Sequence, residues 1–316
     1  MSLAPPAGGA SPVPFGERLA GRVAERRSNL VLGLDPDPAR LWPAALREAG
    51  AGVGGSVAQR AGAAVAAHCR LLVDAAGPEC VAVKLQLACF ERLGAPGWAA
   101  LERTAAHARH AGLLVIADAK RGDVPVSAAA YAQGLLGATP TPFGEVLGLG
   151  ADAVTVSPLL GEEALAPFVT AARAAGAGVF VLVRTSNPGA ADVQDAPLFD
   201  GRPVWEWLAE MVDRLGRAQG DGLADVGAVI GATEPQHLHR ARELMPRAVL
   251  LLPGVGAQGG RVEDLAPAFV PGPAGGLVTA SRSIDRAYEA ACSEPAAAAL
   301  AQARALREVG WSTAAA

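Results

Sequence analysis

The sequence predicts an α/β protein built as a single (β/α)8 barrel, the TIM-barrel architecture. Short apolar runs rich in β-branched residues alternate with amphipathic Ala/Leu/Arg/Glu segments, which is the pattern of a parallel sheet covered by helices. There are eight such runs in 316 residues, and a barrel of this kind uses about 250 residues. No linker divides the chain, so we expect one catalytic domain.

The eight predicted strands are short and mostly apolar, as expected for strands buried on both faces. They are residues 29–34, 81–84, 113–118, 152–157, 179–184, 226–231, 248–252 and 276–280. Helical spacing is clearest between them in residues 101–111, 162–175, 204–219 and 235–245.

The remaining length lies outside these units. Residues 1–14 are rich in Ala, Pro and Gly and are predicted to be a flexible tail, which leaves 15–316 as the barrel domain. A helix near 15–27 is expected to close the barrel bottom, and another spans 295–309. Residues 50–55 form a Gly-rich loop, and residues 185–203 form a long loop with no predicted task.

Composition and local pattern exclude several classes of protein. A net charge of −4 gives no basic surface for nucleic acid. No uninterrupted apolar run reaches membrane-spanning length, and the N-terminal residues lack the pattern of a secretory signal. We therefore expect a cytoplasmic protein with no nucleic-acid or membrane partner. The four cysteines form no C-x-x-C pair, so free thiols and no metal site are predicted.

The lysines are the most informative residues. The 27 basic residues comprise 25 arginines and only two lysines, Lys84 and Lys120. Both lie at the ends of predicted strands, where barrels of this class place their catalytic groups. Arginine suits most surface positions, but it cannot replace a compact ammonium that must give up a proton. Both lysines are therefore predicted to lie in the active site.

Two carboxylates accompany the lysines. Asp118 and Lys120 are two residues apart, and side chains alternate along a strand, so both are expected to point into the barrel mouth. Lys84, on the neighbouring strand, is expected to reach Asp118. A Lys–Asp–Lys array offsets the cost of burying each charge alone. Asp123 follows Gly122, which is expected to turn it away from the others.

The end of the chain predicts a phosphate site. The loop at 253–260 is Gly-rich, so its N–H groups can surround an anion, and Arg282 after the last strand can bind that anion bidentately. Gly254-x-Gly256-x-x-Gly259 matches the dinucleotide fingerprint, but no acidic residue follows at the next strand end, where a ribose ligand is expected. A phosphate rather than a nicotinamide cofactor is therefore predicted.

Together these motifs resemble those of the orotidine 5′-phosphate decarboxylase family. The resemblance rests on Asp118-x-Lys120-x-x-Asp123, on Lys84 ending the preceding strand, on the 253–260 loop and on Arg282. Segments 83–91 and 184–188 resemble the longer (type 2) subgroup, and the likeness runs from about residue 29 to residue 284. The Asp-x-Lys-x-x-Asp motif is shared with sugar-phosphate enzymes of the same superfamily, whereas the combination with Gln258 and Arg282 is more specific.

The resemblance implies a homodimeric carboxy-lyase (class EC 4.1.1.23) without metal or organic cofactor. It would convert orotidine 5′-phosphate to UMP and CO2, the last step of de novo pyrimidine nucleotide synthesis. Lys120 would donate a proton to C6 of the pyrimidine, Asp118 would lie against the departing carboxylate, and Lys84 would hold Asp118 and a ribose hydroxyl. Asp123 would reach the partner subunit's site and contact its ribose.

The resemblance also implies the substrate-binding residues. Asp35 would bind ribose, and Ser157 would face the pyrimidine edge, at a position where the longer subgroup is expected to have Asn. The phosphate would be held by Gln258, Gly259, Gly260 and Arg282. Three other polar residues at strand ends, Asp37, Gln86 and Asn187, have ligand contacts that the sequence leaves open.

Two other functions fit part of the pattern. A metal-dependent sugar-phosphate decarboxylase or aldolase of the same superfamily would need Mg²⁺. A nucleotide-phosphate sensor would bind UMP without turnover, but a pure binder has no use for the buried charges at Lys84, Asp118 and Lys120.

Overall fold

The computed structural model describes residues 12–51, 54–218 and 220–315. The strands are β1 (Leu30–Leu34), β2 (Ala82–Gln86), β3 (Leu114–Arg121), β4 (Ala138–Thr141), β5 (Gly144–Leu147), β6 (Ala153–Val156), β7 (Gly178–Arg184), β8 (Val226–Ile230), β9 (Leu250–Pro253) and β10 (Gly276–Ala280). Eight of them are parallel and close into a barrel in the order β1-β2-β3-β6-β7-β8-β9-β10, with β10 pairing back onto β1. The predicted barrel is confirmed, and each of its eight strands lies within three residues of its predicted bounds.

Helices surround the barrel, as the alternating pattern predicts. They are α1 (Phe15–Arg26), α2 (Pro43–Ala51), α3 (Val57–Ala76), α4 (Leu87–Glu91), α5 (Ala95–His110), α6 (Pro125–Leu136), α7 (Glu162–Ala175), α8 (Ala190–Val193), α9 (Val204–Leu215), α10 (Gln236–Leu244), α11 (Arg282–Asp285), α12 (Ala287–Ala291) and α13 (Pro295–Ala315). A 3-10 segment, Val262–Phe269, replaces an α-helix between β9 and β10. Most of the predicted N-terminal tail and part of the 50–55 loop lie outside the described residues.

Helix α1 closes the bottom of the barrel, as predicted. Its apolar residues Phe15, Leu19 and Val23 are buried against the barrel interior. The ring of Phe15 meets that of Phe180 edge to face at 5.9 Å, and a Cβ on Gly178 would lie 2.5 Å from the Phe15 ring. Glycine at 178 therefore makes room for α1 at this end of the barrel.

Strands β4 and β5 form an antiparallel hairpin that the sequence analysis did not predict. Its residues lack the apolar alternation that marks a half-buried strand, and all four β5 residues are exposed. Phe143 at the turn and Leu147 on β5 are 100% and 80% exposed. A two-stranded hairpin gains little from its own hydrogen bonds in water, so this hairpin depends on contacts beyond its own two strands.

Among the described residues, no helix has the length and apolar character needed to span a bilayer. The predicted free thiols are confirmed, because Cys69, Cys80, Cys89 and Cys292 are all unpaired.

Arg242 on α10 is a buried cation whose hydrogen-bond acceptors are all carbonyls. It is 5% exposed and donates to the carbonyls of Met245, Ala248, Ala268 and Gly275. Burial lowers the pKa of Arg242 to about 10, so the guanidinium stays charged at neutral pH. It thereby ties α10 to the segment before β9 and to the segment between β9 and β10.

We expect Arg242→Ala to lower the free energy of unfolding by about 3 kcal/mol, because buried carbonyls lose their donor. Urea denaturation measures this loss. Arg240→Ala on the same helix is the matched control: Arg240 is half-exposed and forms ion pairs with Glu206 and Glu243, and exposed ion pairs contribute little, so its loss should cost much less than that of Arg242. Equal losses for the two variants would contradict a structural role specific to Arg242.

Candidate active site

The C-terminal end of the barrel opens into a cavity of about 430 Å³. Six of the ten predicted site residues line it: Asp35, Lys84, Asp118, Lys120, Gln258 and Arg282. They come from the ends of β1, β2, β3, β9 and β10. The closed barrel brings these strand ends together, although the residues span most of the chain.

Asp118 is the centre of the charged cluster and accepts four hydrogen bonds. Oδ2 accepts from Lys84 Nζ at 2.6 Å and from Gln86 Nε2 at 3.2 Å. Oδ1 accepts from Lys120 Nζ at 2.6 Å and from Thr155 Oγ1 at 2.8 Å. Two donors on each oxygen fill the capacity of an ionised carboxylate. The predicted Lys–Asp–Lys array is therefore formed, and its carboxylate cannot rotate without losing donors.

The electrostatics keep this array charged. Burial by itself would raise the pKa of Asp118, but the ammonium groups of Lys84 and Lys120 outweigh it and hold that pKa well below its usual range. Burial likewise opposes the charge on Lys84, but Asp118 and Asp35 together raise the Lys84 pKa. Both groups are consequently ionised throughout the neutral range.

The two lysines differ in their access to the cavity. The Lys84 side chain is only 7% exposed and is held between Asp118 and Asp35, whose Oδ1 is 3.8 Å from Lys84 Nζ. The Lys120 side chain is 42% exposed at the cavity wall. Lys120 is thus the ammonium that a bound molecule can contact directly, whereas Lys84 is placed to hold the two carboxylates.

A bulge in β3, rather than regular alternation, places Asp118 and Lys120 side by side. β3 pairs with β6 through Ala117↔Val154 and then Arg121↔Val156, so three residues of β3 face the single residue Thr155. Lys120 takes a left-handed conformation with φ of 48°, which is rare for a residue with a side chain. Such strain tends to occur at functional sites.

The phosphate-binding prediction concerns the residues that follow β9 and β10. Arg282 is exposed at the start of α11 and forms no ion pair with any described residue. The 253–260 loop contributes Gly254, Val255, Ala257 and Gln258 to the cavity. The N–H groups of Gly259 and Gly260 instead donate to the carbonyls of Gly256 and Gly254, so these two glycines shape the loop.

Asp123 and Ser157, like Gly259 and Gly260, are predicted site residues that do not line the cavity. Asp123 lies in the β3–α6 loop, where its Oδ1 accepts from the N–H of Val124. Ser157 follows β6; its N–H donates to the carbonyl of Arg121, and it packs against Gly122. Neither residue contacts the Lys–Asp–Lys array within this chain.

The loop at 185–203, which had no predicted task, supplies part of the cavity wall. Thr185, Ser186, Asn187 and Gln194 line it, and Ser186 Oγ donates to Gln258 Oε1 at 3.2 Å. Arg184 anchors the loop by a bidentate ion pair with Asp195, at 2.9 Å for both bonds. The sequence carried one sign of this role, because Thr185, Ser186 and Asn187 are polar residues that directly follow a predicted strand. Of the residues that the sequence left open, Gln86 and Asn187 line the cavity and Asp37 does not.

The cavity combines charged and apolar groups. The buried Asp118 carboxylate and the accessible Lys120 ammonium line it at β3, Arg282 follows β10 without an ion pair among the described residues, and apolar side chains of Leu182, Val229 and Leu251 also line it. No cluster of metal-ligating side chains occurs among residues 12–51, 54–218 and 220–315. The arrangement suits an anionic ligand that places a phosphate by Arg282 and a reacting carbon by Lys120.

Comparisons with known proteins agree with this chemistry. Residues 28–299 match the family model described as orotidine 5′-phosphate decarboxylase / HUMPS family. Proteins named orotidine 5′-phosphate decarboxylase from Deinococcus radiodurans and Rhodopirellula baltica are 44% and 39% identical, over 86% and 87% of this chain and 89% of each relative.

Solved structures of orotidine 5′-phosphate decarboxylases are also similar to this chain. One from Streptomyces avermitilis aligns with 99% of this chain and all of its own, with a TM-score of 0.78 and 34% identity. The OMP decarboxylase of Leishmania donovani has a TM-score of 0.69 and 30% identity over 94% of this chain and 99% of its own.

Proposed function

Because this chain belongs to the orotidine 5′-phosphate decarboxylase family and is a carboxy-lyase that forms UMP from orotidine 5′-phosphate, we propose that Lys120 is its proton donor. The observation that carries the proposal is the Lys84–Asp118–Lys120 array at the cavity wall. The reaction is proposed to need neither metal nor organic cofactor.

The chemistry of the proposed step follows from charge. Loss of CO2 breaks the bond from C6 to the carboxylate and leaves the electron pair on C6, where resonance gives little help. The Lys120 ammonium stabilises that developing charge and then transfers a proton to C6. Arginine would be too large and too weak an acid for this step. Asp118, ionised beside the substrate carboxylate, would repel it in the ground state, and the departure of CO2 relieves that repulsion.

Binding groups remote from C6 orient the substrate. We propose that Arg282 and the loop around Gln258 hold the phosphate, with Gly259 and Gly260 shaping that loop, and that Asp35 and Lys84 bind ribose hydroxyls. Binding energy gained at the phosphate can then offset desolvation at C6. For the pyrimidine edge we propose Ser186 instead of Ser157, supported by its place in the cavity wall and its hydrogen bond to Gln258.

The direct test measures the loss of orotidine 5′-phosphate absorbance when purified protein is added in excess EDTA. Turnover supports the metal-independent decarboxylase. A protein that binds UMP but turns nothing over would be a sensor. Activity on a sugar phosphate that Mg²⁺ restores would identify the other enzyme of the superfamily.

We also propose a homodimer in which Asp123 completes the partner's site. Asp123 lies outside its own cavity, and two large apolar side chains in the segments after β3 and β6 are exposed: Val126 in the first turn of α6 is 84% exposed, and Leu159 after β6 is 82% exposed. Exposed apolar patches mark interaction surfaces, and the uncovered β4–β5 hairpin adds to the apolar surface available to a partner. The four free cysteines fit a reducing compartment and support a cytoplasmic location.

Mixing two inactive variants tests the shared site. Lys120→Ala destroys a subunit's own site, whereas Asp123→Ala damages the partner's. When separately inactive variants are unfolded, mixed and refolded, activity should return to about a quarter of wild type, because half of the dimers are mixed and each has one intact site. Mixtures that stay as inactive as their components would show that Asp123 acts within its own subunit, and an Asp123→Ala variant with wild-type activity would show that Asp123 has no role in the reaction.

A further inference from the structure

We propose that Thr155 is a positioning residue that fixes Lys120 and Asp118 in their reactive arrangement through its hydroxyl group. The proposal rests on the proposed function, because it concerns the proton donor named there. Thr155 lies on β6, beside the catalytic residues of β3, and its side chain is buried, with only 1% of the residue exposed.

The hydroxyl of Thr155 bonds to both residues of the catalytic pair. Oγ1 accepts a hydrogen bond from the backbone N–H of Lys120 at 3.0 Å and donates to Asp118 Oδ1 at 2.8 Å. The roles are fixed by chemistry, since an N–H can only donate and an ionised carboxylate can only accept. One side chain therefore joins the backbone of the proton donor to the carboxylate that holds the donor's ammonium.

The bulge in β3 explains why a side chain, and not a backbone carbonyl, accepts the hydrogen bond from the Lys120 N–H. Regular parallel pairing stops after Ala117↔Val154 and resumes at Arg121↔Val156, so the Lys120 N–H has lost its place in the ladder. A buried N–H without an acceptor is costly, and a left-handed lysine persists only when its surroundings hold it there. Thr155 supplies both the acceptor and the restraint at the one β6 position opposite the bulge.

The same hydroxyl also helps to fix the position of the Lys120 ammonium, through Asp118. Lys120 Nζ and Thr155 Oγ1 share the oxygen Oδ1 of Asp118, while Lys84 and Gln86 occupy Oδ2. Without the Thr155 donor, Asp118 can turn about its side-chain bonds and carry the Lys120 ammonium away from its place at the wall. The loss should therefore appear in the chemical step more than in substrate binding.

A purely structural threonine would behave differently. If Thr155 only filled space, Thr155→Val would be harmless because it keeps the volume, and Thr155→Ser would be worse because it loses the methyl group. If the hydroxyl positions the pair, the order is reversed. We expect Thr155→Val to lower kcat by about 10- to 100-fold, with less than about a threefold change in KM, and Thr155→Ser to restore most of the loss.

The control is a second buried threonine. Thr104 on α5 is 2% exposed, and its hydroxyl donates to the carbonyl of Ala100 in its own helix and does not line the active-site cavity, so Thr104→Val should keep wild-type kcat. Comparing Thr155→Ser with Thr155→Ala isolates the hydroxyl from any effect of lost packing, because both variants lack the methyl group and differ only in the hydroxyl. Melting temperatures and UMP binding of all four variants verify that the fold is retained.

Steady-state kinetics on orotidine 5′-phosphate separate the outcomes. The proposal is supported if Thr155→Val and Thr155→Ala both have a lower kcat than Thr155→Ser. Wild-type kcat in Thr155→Val, or equal losses in Ser and Ala, overturns it while the proposed function stands. If the wild-type protein itself fails to turn over, the proposed function fails and this proposal fails with it.

Discussion

Replacing Lys120 by alanine is expected to lower kcat for orotidine 5′-phosphate by more than about 10³-fold. The estimate combines the loss of a general acid, worth about 10² to 10⁴, with the loss of a charge placed where charge develops. UMP binding should change by less than about tenfold, because UMP carries only a hydrogen at C6. Absorbance assays and calorimetric titration with UMP measure the two effects.

Lys120→Arg is the informative companion to the alanine variant. It keeps the positive charge beside Asp118, but the guanidinium is bulkier and gives up its proton far less readily than an ammonium. We expect it to be nearly as inactive as Lys120→Ala. An arginine variant with substantial turnover would show that charge alone suffices and that the proton comes from another group.

Replacing Arg282 by alanine should produce the second large effect, at the other end of the substrate. Arg282 is exposed beside the cavity and without an ion pair among the described residues, so its guanidinium is available for bidentate contact with phosphate. We expect affinity for UMP to fall by about 100-fold, from the loss of charge-assisted hydrogen bonds. Affinity for uridine, which lacks the phosphate, should stay almost unchanged.

Arg261 provides the matched control for Arg282. It directly follows the 253–260 loop, is exposed, and faces Glu263 and Asp264 instead of the cavity. Arg261→Ala should therefore leave UMP and uridine affinities near wild type. Equal losses of UMP and uridine in Arg282→Ala would remove Arg282 from the phosphate site, and a large UMP-specific loss in Arg261→Ala would move that site to the far side of the loop.

Local pattern was enough to predict most of the barrel. The β-branched runs at 226–231 and 276–280 lie within one residue of β8 and β10, because a strand buried on both faces must be continuously apolar. The hairpin of β4 and β5 was missed because its exposed residues carry no such pattern. Where such an exposed hairpin forms depends on tertiary contacts, and local sequence does not encode those contacts.

Lys84, Asp118 and Lys120 could be identified from the sequence, because the chain has only two lysines and both lie at strand ends. The predicted reason for their common orientation was incomplete. Strict alternation was expected, and the structure instead has a bulge with Lys120 in a left-handed conformation. A bulge arises from the register between two strands, and register is a property of their pairing.

The sequence by itself determined the (β/α)8 fold and the charged cluster, because these follow from periodicity and from which side chains can do the chemistry; the residues for phosphate stay a prediction. Only the tertiary structure decided that Thr155 bonds to both Asp118 and Lys120, and that Ser186, not Ser157, lines the cavity. The physical reason is that a hydrogen bond between strands depends on positions set by barrel closure and bulging. Residues far apart in sequence carry no local sign of that contact.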